Sequence, residues 1–378
     1  MASPVIILHV VGRMDMGGAE SRIMDIYRRI DRSRVQFYFA QHTADHCVFE
    51  SEIEELGGRV FTLPRFKAVN LTAYQKAWRQ LFRAHPEIRM VQGHMTSTAS
   101  LYLPIAKRAG VETTIAHARS AGVDPGLKGL LTRFLRKSLW KKCDYCFTCS
   151  RLAAEAVFGK RAVAEGRVIL IPNAIEVDKF AYDEGEREAV RRELNLLDCF
   201  VLGHVGRFSP VKNHEYLLRI LEECIALEKK RGLPRMLLML LGEGELQEKI
   251  RQDAIARGIA SRVLFLGNRK DVHRYYQGMD FFLLPSFYEG LPGTAIEAQA
   301  SGLVGILSDT VTGEAMVTDL MEQLPIGEPP VKWAERIVSY PKKEDRSRYA
   351  DRVKAAGYDV AAQVSRLQRF YLTGSLRE

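Results

Sequence analysis

Short apolar runs alternate with amphipathic helical stretches along most of the 378-residue sequence. The first run, Val5–Val11, is apolar throughout except for His9, which is typical of a strand buried on both faces of a parallel sheet. Parallel neighbours need a long crossover, usually a helix, and stretches such as Leu71–His85 have helical periodicity. The pattern therefore predicts an α/β fold built from repeated strand–helix units.

A second series of strand–helix units begins near Cys199, and the chain is too long for one ordinary core. The segment Ile171-Pro172-Asn173-Ala174 interrupts the pattern between the two series. We expect two doubly wound Rossmann-like domains, 1–172 and 173–350, facing a cleft, with a helical segment 351–378 packing back across them. Such sheets bind ligands outside the carboxyl ends of their strands, which predicts a site in the cleft.

The composition, 47% hydrophobic and 27% charged, is that of a globular protein. The N-terminal apolar run lacks a basic leader and is shorter than the roughly 20 residues of a membrane span, so we expect a cytoplasmic protein. Residues 1–175 hold 26 Lys and Arg against 15 Asp and Glu, whereas 176–378 hold 29 against 31. This asymmetry indicates an anionic partner for the first half. The sequence has no aromatic–basic platform or helix-turn-helix signature, which argues against nucleic acid.

Two overlapping C-x-x-C spacings occur among the six cysteines, at Cys143, Cys146 and Cys149. A metal or redox site there would need a fourth ligand and a flexible knuckle, and the intervening residues have the pattern of a strand. Buried structural thiols are the favoured interpretation, because free cysteine packs as a small hydrophobe.

Two glycine-containing loops follow predicted strands. The loop from Gly12 to Glu20 contains Gly17 and Gly18 before a helix, an arrangement that lets an anion approach the backbone. Its spacing is not G-x-G-x-x-G, so a plain tight turn stays open as an alternative. In the segment 205–213, Arg207 and Lys212 can converge on a diphosphate. The alternative is a solvated loop carrying two ordinary charges.

A third glycine-rich loop, Pro285–Pro292, follows a strand and leads into a helix. Glu289 would stand at its edge, and the backbone N–H groups of Gly290, Leu291 and Gly293 could face a ligand. The last residue of interest, Glu297, also fits a capping box that starts at Thr294, in which the glutamate only bonds back to the helix start. Both interpretations of Glu297 stay open.

Together these segments resemble the family 4 retaining glycosyltransferases of the GT-B fold over nearly the whole chain. The stretch 308–314 departs slightly from the common family pattern and looks more like the branch that makes capsular or extracellular polysaccharide. The motifs that carry the resemblance are Gly17-Gly18-Ala19-Glu20, Gly206-Arg207 with Lys212-Asn213, Leu241-Gly242-Glu243-Gly244, Phe265-Leu266-Gly267-Asn268-Arg269, and the E-x7-E pattern of Glu289 and Glu297.

The resemblance implies a role for each matching residue. Arg207 and Lys212 hold the diphosphate of a UDP-sugar and neutralise it as a leaving group, so neither a metal nor another cofactor is expected. Glu297 binds the ribose hydroxyls, Glu289 lies beside the transferred sugar, and His117 lies near it, with His94 as a weaker candidate. Further donor contacts are expected from Gly17, Gly18, Gly206, Gly242, Asn268, Arg269, Gly290, Leu291 and Pro292.

The implied reaction is a retaining hexosyl transfer to a glycan or lipid-linked glycan acceptor. Whether Glu289 acts as a transient nucleophile or only positions the donor stays open at the level of sequence. Two other functions also stay open. One is a nucleotide-sugar epimerase, which needs no acceptor, and the other is a non-catalytic nucleotide-sugar-binding protein.

The stretch 127–142 forms a basic amphipathic helix, with six Lys and Arg beside apolar residues that include Leu127, Phe134 and Trp140. Such a helix can lie on an anionic membrane, and we expect peripheral contact with the inner face of the membrane through it. The alternative is a helix packed on its own sheet with a solvated basic face.

Overall fold

The computed structural model describes residues 3–15, 17–120, 122, 126–340 and 345–376, without the side chain of Leu127. The chain forms two compact units. Unit 1 comprises Met1–Ala174 and Val360–Glu378, and unit 2 comprises Ile175–Asp359. The boundary expected after residue 172 thus falls after residue 174, and the second, expected after residue 350, falls after residue 359.

Unit 1 contains a seven-stranded parallel sheet with the order β3-β2-β1-β4-β5-β6-β7. The chain builds outward from β1 in one direction and then, from β4, in the other. The strands are β1 (Val5–Val10), β2 (Val35–Gln41), β3 (Arg59–Thr62), β4 (Ile88–Gly93), β5 (Thr113–Ala118), β6 (Tyr145–Thr148) and β7 (Val168–Leu170).

The crossovers of unit 1 are helical, as parallel pairing requires. The helices are α1 (Gly18–Arg29), α2 (Glu50–Glu55), α3 (Leu71–Ala84), α4 (Ala99–Arg108), α5 (Gly126–Arg136) and α6 (Arg151–Ala164). The helix predicted over 127–142 is therefore shorter than expected. It ends at Arg136, and a 3₁₀ turn at Leu139–Lys141 follows, with Leu139 buried.

Unit 2 contains a six-stranded parallel sheet with the order β10-β9-β8-β11-β12-β13. The strands are β8 (Cys199–Val205), β9 (Arg235–Leu241), β10 (Val263–Gly267), β11 (Phe281–Leu284), β12 (Val304–Ser308) and β13 (Met321–Leu324). The helices are α7 (Val177–Phe180), α8 (Glu184–Glu193), α9 (His214–Arg231), α10 (Gln247–Ala256), α11 (Val272–Gly278), α12 (Gly293–Ala300), α13 (Pro330–Ser339) and α14 (Tyr349–Val353).

The C-terminal segment is not one continuous helix. After α14, a π-helical turn at Lys354–Tyr358 contains Gly357 at φ 86°, a left-handed conformation that glycine adopts at little cost. The last helix, α15 (Val360–Thr373), follows and belongs to unit 1. Its apolar face, which includes Val364 and Phe370, is part of the core of unit 1 together with residues of β1, β2 and α1.

No helix in the described ranges is both long enough and apolar enough to cross a membrane. All six cysteines are free. The Sγ atoms of Cys143 and Cys146 lie 3.6 Å apart, and Cys146 and Cys149 are buried. Within the described part of the chain, no group of three or more His, Cys, Asp or Glu side chains is placed to hold a metal ion.

A buried ion cluster ties α8 to the strand β11 in unit 2. Asp280, just before β11, pairs with both Arg187 and Arg191 of α8. Its Oδ2 also accepts a hydrogen bond of 2.8 Å from the backbone N–H of Val201 in β8. The Arg191 side chain is only 8% exposed, so loss of the carboxylate would leave buried guanidinium charge uncompensated.

The variant Asp280→Ala is therefore expected to lower the free energy of unfolding of unit 2 by roughly 3–5 kcal/mol. The control Glu188→Ala removes an acid from an exposed pair with Arg192, where roughly 0.5 kcal/mol is expected. Urea unfolding followed by circular dichroism measures both, and equal losses in the two variants would contradict the prediction.

Candidate functional site

The candidate site in unit 2 lies where the sheet changes direction. Strands β8 and β11 are neighbours at the centre of the sheet, and the chain builds outward from them in opposite directions. Open parallel sheets bind ligands at such a point, outside the carboxyl ends of the two strands, where a loop follows each strand. The first loop carries Gly206 to Asn213, and the second carries Pro285 to Pro292.

An ion pair connects these two loops. Lys212 Nζ lies 2.6 Å from Glu289 Oε1, and both side chains are only 17% exposed. A backbone hydrogen bond of 2.8 Å from Phe287 N–H to Val211 O joins the same loops. The structure therefore brings together the two charged residues for which the sequence predicted contact with the donor phosphates and the donor sugar.

Gly206 makes room for the lysine of this pair. A Cβ atom at Gly206 would lie 3.1 Å from Lys212 Cε and 2.9 Å from His204 Nε2. Gly242, at φ 129°, approaches so closely that its Cβ would lie 2.2 Å from Gly206 O. The loops after β8 and β9 thus pack backbone to backbone, which a larger residue would prevent.

Arg207 is placed differently from Lys212. Its side chain is 75% exposed and its Nη2 lies 3.2 Å from Glu245 Oε2, in a pair that is itself exposed. The convergence of Arg207 and Lys212 on one diphosphate stays a prediction. Exposed pairs of this kind contribute little to stability, so the guanidinium is able to move to another anion.

Two residues expected to contact the donor, Asn268 and Arg269, lie after β10. The backbone N–H of Asn268 donates to Glu243 Oε1 at 3.4 Å, and Arg269 Nε donates to Leu266 O at 2.9 Å. The Arg269 guanidinium also lies over the Tyr275 ring, 5.5 Å from its centre. Sequence reasoning did not single out the side chains of Glu243 and Tyr275 as partners of this turn.

The structure argues against the capping-box interpretation of Glu297, and its ribose role stays a prediction. Helix α12 begins at Gly293 after the N-cap residue Pro292, which makes no side-chain capping bond. Thr294 is therefore inside the first turn and not at the N-cap, and the capping box does not form. Glu297 is 5% exposed, and its Oε2 accepts a hydrogen bond of 3.0 Å from the Tyr276 hydroxyl. In the preceding loop Leu291 is buried, and Gly290 is half-buried.

In unit 1, the glycine loop leads into α1. Gly17 is the N-cap residue and Gly18 the first residue of the helix, with no side-chain cap, while the neighbouring Met16 lies outside the described residues. A Cβ atom at Gly17 would lie 2.3 Å from Glu20 Oε2. Burial raises the pKa of Glu20.

His117, at the end of β5, is fully buried, and its Nδ1 lies 2.8 Å from Gln92 Nε2. The Tyr371 hydroxyl in turn donates to Gln92 Oε1 at 2.7 Å. The amide therefore donates to Nδ1, so this network assigns the imidazole proton to Nε2. Burial, with a smaller contribution from the Arg119 charge, holds the pKa of His117 well below 6.5.

His117 belongs to a histidine cluster at the carboxyl ends of β1, β4 and β5. His94 Nε2 lies 3.0 Å from His9 Nδ1, and the rings of His94 and His117 are 5.1 Å apart. Arg119 Nε donates to His94 Nδ1 at 3.4 Å and its Nη1 donates to Asn173 Oδ1 at 2.9 Å. Sequence reasoning did not identify His9 and Arg119, although His9 is the one polar residue in its apolar run.

The comparisons with known proteins agree with this geometry. A family model described as Glycosyltransferase Family 4 matches residues 16–179, and one described as Glycosyl transferases group 1 matches residues 199–340. EpsF of Bacillus subtilis, named as a glycosyltransferase, is 32% identical over 97% of this chain and 96% of its own. The capsular polysaccharide biosynthesis glycosyltransferase CapH of Staphylococcus aureus is 21% identical over 98% of this chain and 99% of its own.

Among solved structures, Anabaena HepE in complex with UDP has a TM-score of 0.76 at 18% identity, covering 96% of this chain and 98% of that one. The two parallel sheets thus have the architecture of that glycosyltransferase fold. The chain belongs to the family 4 glycosyltransferases, with the GT-B fold. Membership in this family favours a glycosyltransferase over the two alternative functions, a nucleotide-sugar epimerase and a non-catalytic nucleotide-sugar-binding protein.

The histidine cluster makes unit 1 sensitive to acid. Burial, followed by the charge of Arg119, lowers the pKa of His9 from 6.5 to about 3. As the pH falls through 6.5, His9 is protonated in the unfolded chain but stays neutral in the folded chain. The contribution of His9 to the free energy of unfolding is therefore full above that pH and falls as the pH drops toward 3. Between pH 7 and pH 5, His9 alone is expected to lower the free energy of unfolding by about 2 kcal/mol. Urea unfolding of wild type and of His9→Asn at both pH values checks this, and the prediction fails if the two proteins lose equal stability.

Proposed function

We propose that this glycosyltransferase moves a hexose from a UDP-sugar to a glycan or lipid-linked glycan acceptor in polysaccharide biosynthesis. The transfer proceeds with retention of configuration at the sugar and without a metal ion. The observation that carries the proposal is the half-buried ion pair of Lys212 and Glu289 at the centre of the unit 2 sheet.

The ion pair supplies a positive charge, on Lys212, for the diphosphate of the donor and a negative charge, on Glu289, for the region of its sugar. A diphosphate offers Lys212 more negative charge than a single carboxylate does, so the ammonium group exchanges Glu289 for phosphate oxygens when the donor binds. Arg207 leaves its exposed contact with Glu245 and adds a second positive charge. The two cations then stabilise the departing diphosphate, the role that a divalent metal would otherwise have.

The exchange leaves the Glu289 carboxylate beside the sugar. Glycosyl transfer develops positive charge at the anomeric carbon, and a carboxylate in a water-poor site stabilises that charge. The acceptor hydroxyl attacks on the face from which the diphosphate departs, and a phosphate oxygen takes its proton. Glu289 acts in this scheme as an electrostatic and positioning group. The neutral, buried imidazole of His117 serves as a hydrogen-bond donor and not as a proton-transfer group.

The relatives support the choice of donor and pathway. HepE has been solved with UDP and with UDP-glucose, and CapH is named for capsular polysaccharide biosynthesis. The loops that carry Lys212, Gly242 and Asn268 lie at the carboxyl ends of three adjacent strands, β8, β9 and β10. In the proposed function, the diphosphate lies at the loop after β8 and the base at the loop after β10, so this row of loops follows the order of groups in a nucleoside diphosphate.

Binding and transfer together test this proposal. In a thermal-shift panel of UDP, GDP, ADP and the corresponding sugar nucleotides, we expect stabilisation by the uridine compounds alone. Sugar transfer from the selected donor is expected to survive EDTA and to give a product that retains the anomeric configuration, as judged by proton NMR. Silence across the panel, or loss of transfer in EDTA that Mg²⁺ restores, would contradict the proposal.

The variant Lys212→Met tests the ion pair itself and is expected to lower kcat by about 10²–10³-fold, because it removes a charge that stabilises the leaving group. The matched control Lys230→Met removes an exposed lysine from the end of α9 and is expected to keep wild-type activity. Initial rates at saturating donor, with the melting temperature of both variants, make the comparison. Wild-type kcat in Lys212→Met would rule out the assigned role.

We propose in addition that unit 1 meets the inner face of the membrane through α5. Three apolar side chains on one face of this helix are exposed, namely Leu130, Leu131 and Phe134, the last at 74%. Exposed basic residues, Lys128, Arg133 and Lys137, flank them. The opposite side of the helix, with Gly129 and Arg136, is buried. An exposed apolar face bordered by basic residues suits an anionic lipid surface that carries a lipid-linked acceptor.

Liposome flotation tests this contact. Wild type is expected to float with vesicles of phosphatidylglycerol and phosphatidylcholine but not with phosphatidylcholine alone, and Phe134→Asp is expected to float several-fold less. The control Ile255→Asp makes the same change at a comparably exposed residue of α10 in unit 2 and is expected to behave as wild type. Equal flotation with and without anionic lipid, or by both variants, would contradict the contact.

A further inference from the structure

The carboxylate of Glu297 lies in a buried position that it shares with a tyrosine. Glu297 is 5% exposed and Tyr276 is fully buried. The Tyr276 hydroxyl lies 3.0 Å from Glu297 Oε2 and 3.3 Å from Thr294 O. The hydroxyl has one proton to donate. The carboxylate is closer than the carbonyl and is the stronger acceptor of the two. The tyrosine therefore donates to Glu297.

Tyr276 is itself held from several sides. Its ring packs edge-on against Phe180, with ring centres 5.7 Å apart, and lies tilted against Phe282, with ring centres 6.1 Å apart. Its backbone carbonyl accepts a hydrogen bond of 3.2 Å from Arg346 Nη2. These contacts hold the Tyr276 ring, and with it the hydroxyl, in one position.

Arg346 ties the helices of both residues together. Besides the carbonyl of Tyr276 near the end of α11, it binds Met279 O at 3.2 Å and Ser301 O at 2.9 Å, just after α12. Burial is the main cause that lowers the pKa of Arg346 to about 10, so the guanidinium stays charged near neutral pH. Ser301 in turn donates from its Oγ to Glu297 O at 3.1 Å. The distance from Tyr276 to Glu297 is consequently fixed at the backbone as well as through the hydroxyl.

We infer that Tyr276 is a positioning residue that sets the orientation of the Glu297 carboxylate for the two ribose hydroxyls of the donor. This inference rests on the proposed function, in which Glu297 binds the ribose. A carboxylate has about four acceptor positions, and the tyrosine occupies one on Oε2. That bond restrains the orientation in which the carboxylate meets a vicinal diol. Without it, the orientation is held less tightly, and the diol is expected to bind more weakly.

The experiment compares UDP with 2′,3′-dideoxy-UDP, which lacks both ribose hydroxyls, by isothermal titration calorimetry. Wild type is expected to prefer UDP. In Tyr276→Phe, which removes only the hydroxyl, UDP is expected to bind about 10-fold more weakly, whereas the affinity for dideoxy-UDP stays within about 2-fold of wild type. The preference for UDP therefore falls by the same factor. A merely structural tyrosine would weaken both nucleotides equally.

Tyr216→Phe is the matched control. Tyr216 is another buried tyrosine of unit 2, and its hydroxyl donates to Glu328 O. This variant is expected to keep the wild-type preference for UDP. A cycle with Glu297→Ala gives a second measurement, since Tyr276→Phe is expected to have no further effect on UDP binding once the carboxylate is gone.

The outcomes separate the inference from the proposal beneath it. A wild-type protein that binds no UDP overturns both the nucleotide assignment and the inference. A wild type that binds UDP and dideoxy-UDP equally overturns the ribose role of Glu297, and with it that of Tyr276. If wild type prefers UDP and Tyr276→Phe keeps that preference, loses affinity for both nucleotides alike, or adds its effect to that of Glu297→Ala, the positioning role alone is wrong.

Discussion

Parallel strand pairing is the constraint on which the rest of this structure depends. Parallel neighbours cannot be joined by a tight turn, so every connection crosses a face of the sheet as a helix or long loop. When the chain starts at the centre and builds outward in both directions, two central strands send their loops apart. In unit 2 these strands are β8 and β11, and in unit 1 they are β1 and β4. The candidate residues Lys212 and Glu289 of unit 2 and His94 of unit 1 lie in the loops that follow these strands.

The second feature of the candidate site is the ion pair between Lys212 and Glu289. Lys212 and Glu289 are drawn from loops about 75 residues apart in sequence, and each lies in a place where water screens it poorly. Each would be costly to bury alone, and as a pair they compensate one another. In the proposed function, the phosphates of the donor carry more negative charge than Glu289 and take its place beside Lys212.

The sequence alone was sufficient for the features that depend on periodicity. It predicted two series of strand–helix units, and its motifs predicted the family. Side-chain partners were harder to obtain, since they depend on strands that are distant in sequence. The hydrogen bond from Tyr276 to Glu297 joins two helices whose spacing Arg346 sets, and no local pattern signals it. The capping box failed because the motif puts the N-cap at Thr294, whereas the N-cap is Pro292, two residues earlier.

The return of α15 to unit 1 has a consequence for how the chain is made. Unit 2 is continuous from Ile175 to Asp359, so all of it leaves the ribosome before α15 does. Synthesis of unit 1 begins first, but its core is complete only when α15 has been made. Val364, Leu367 and Phe370 of α15 are part of that core, and Tyr371 completes the hydrogen bonds around His117. The domain that starts at the N-terminus is therefore the second to be finished. During synthesis the apolar face of unit 1 that α15 covers stays exposed until α15 has been made.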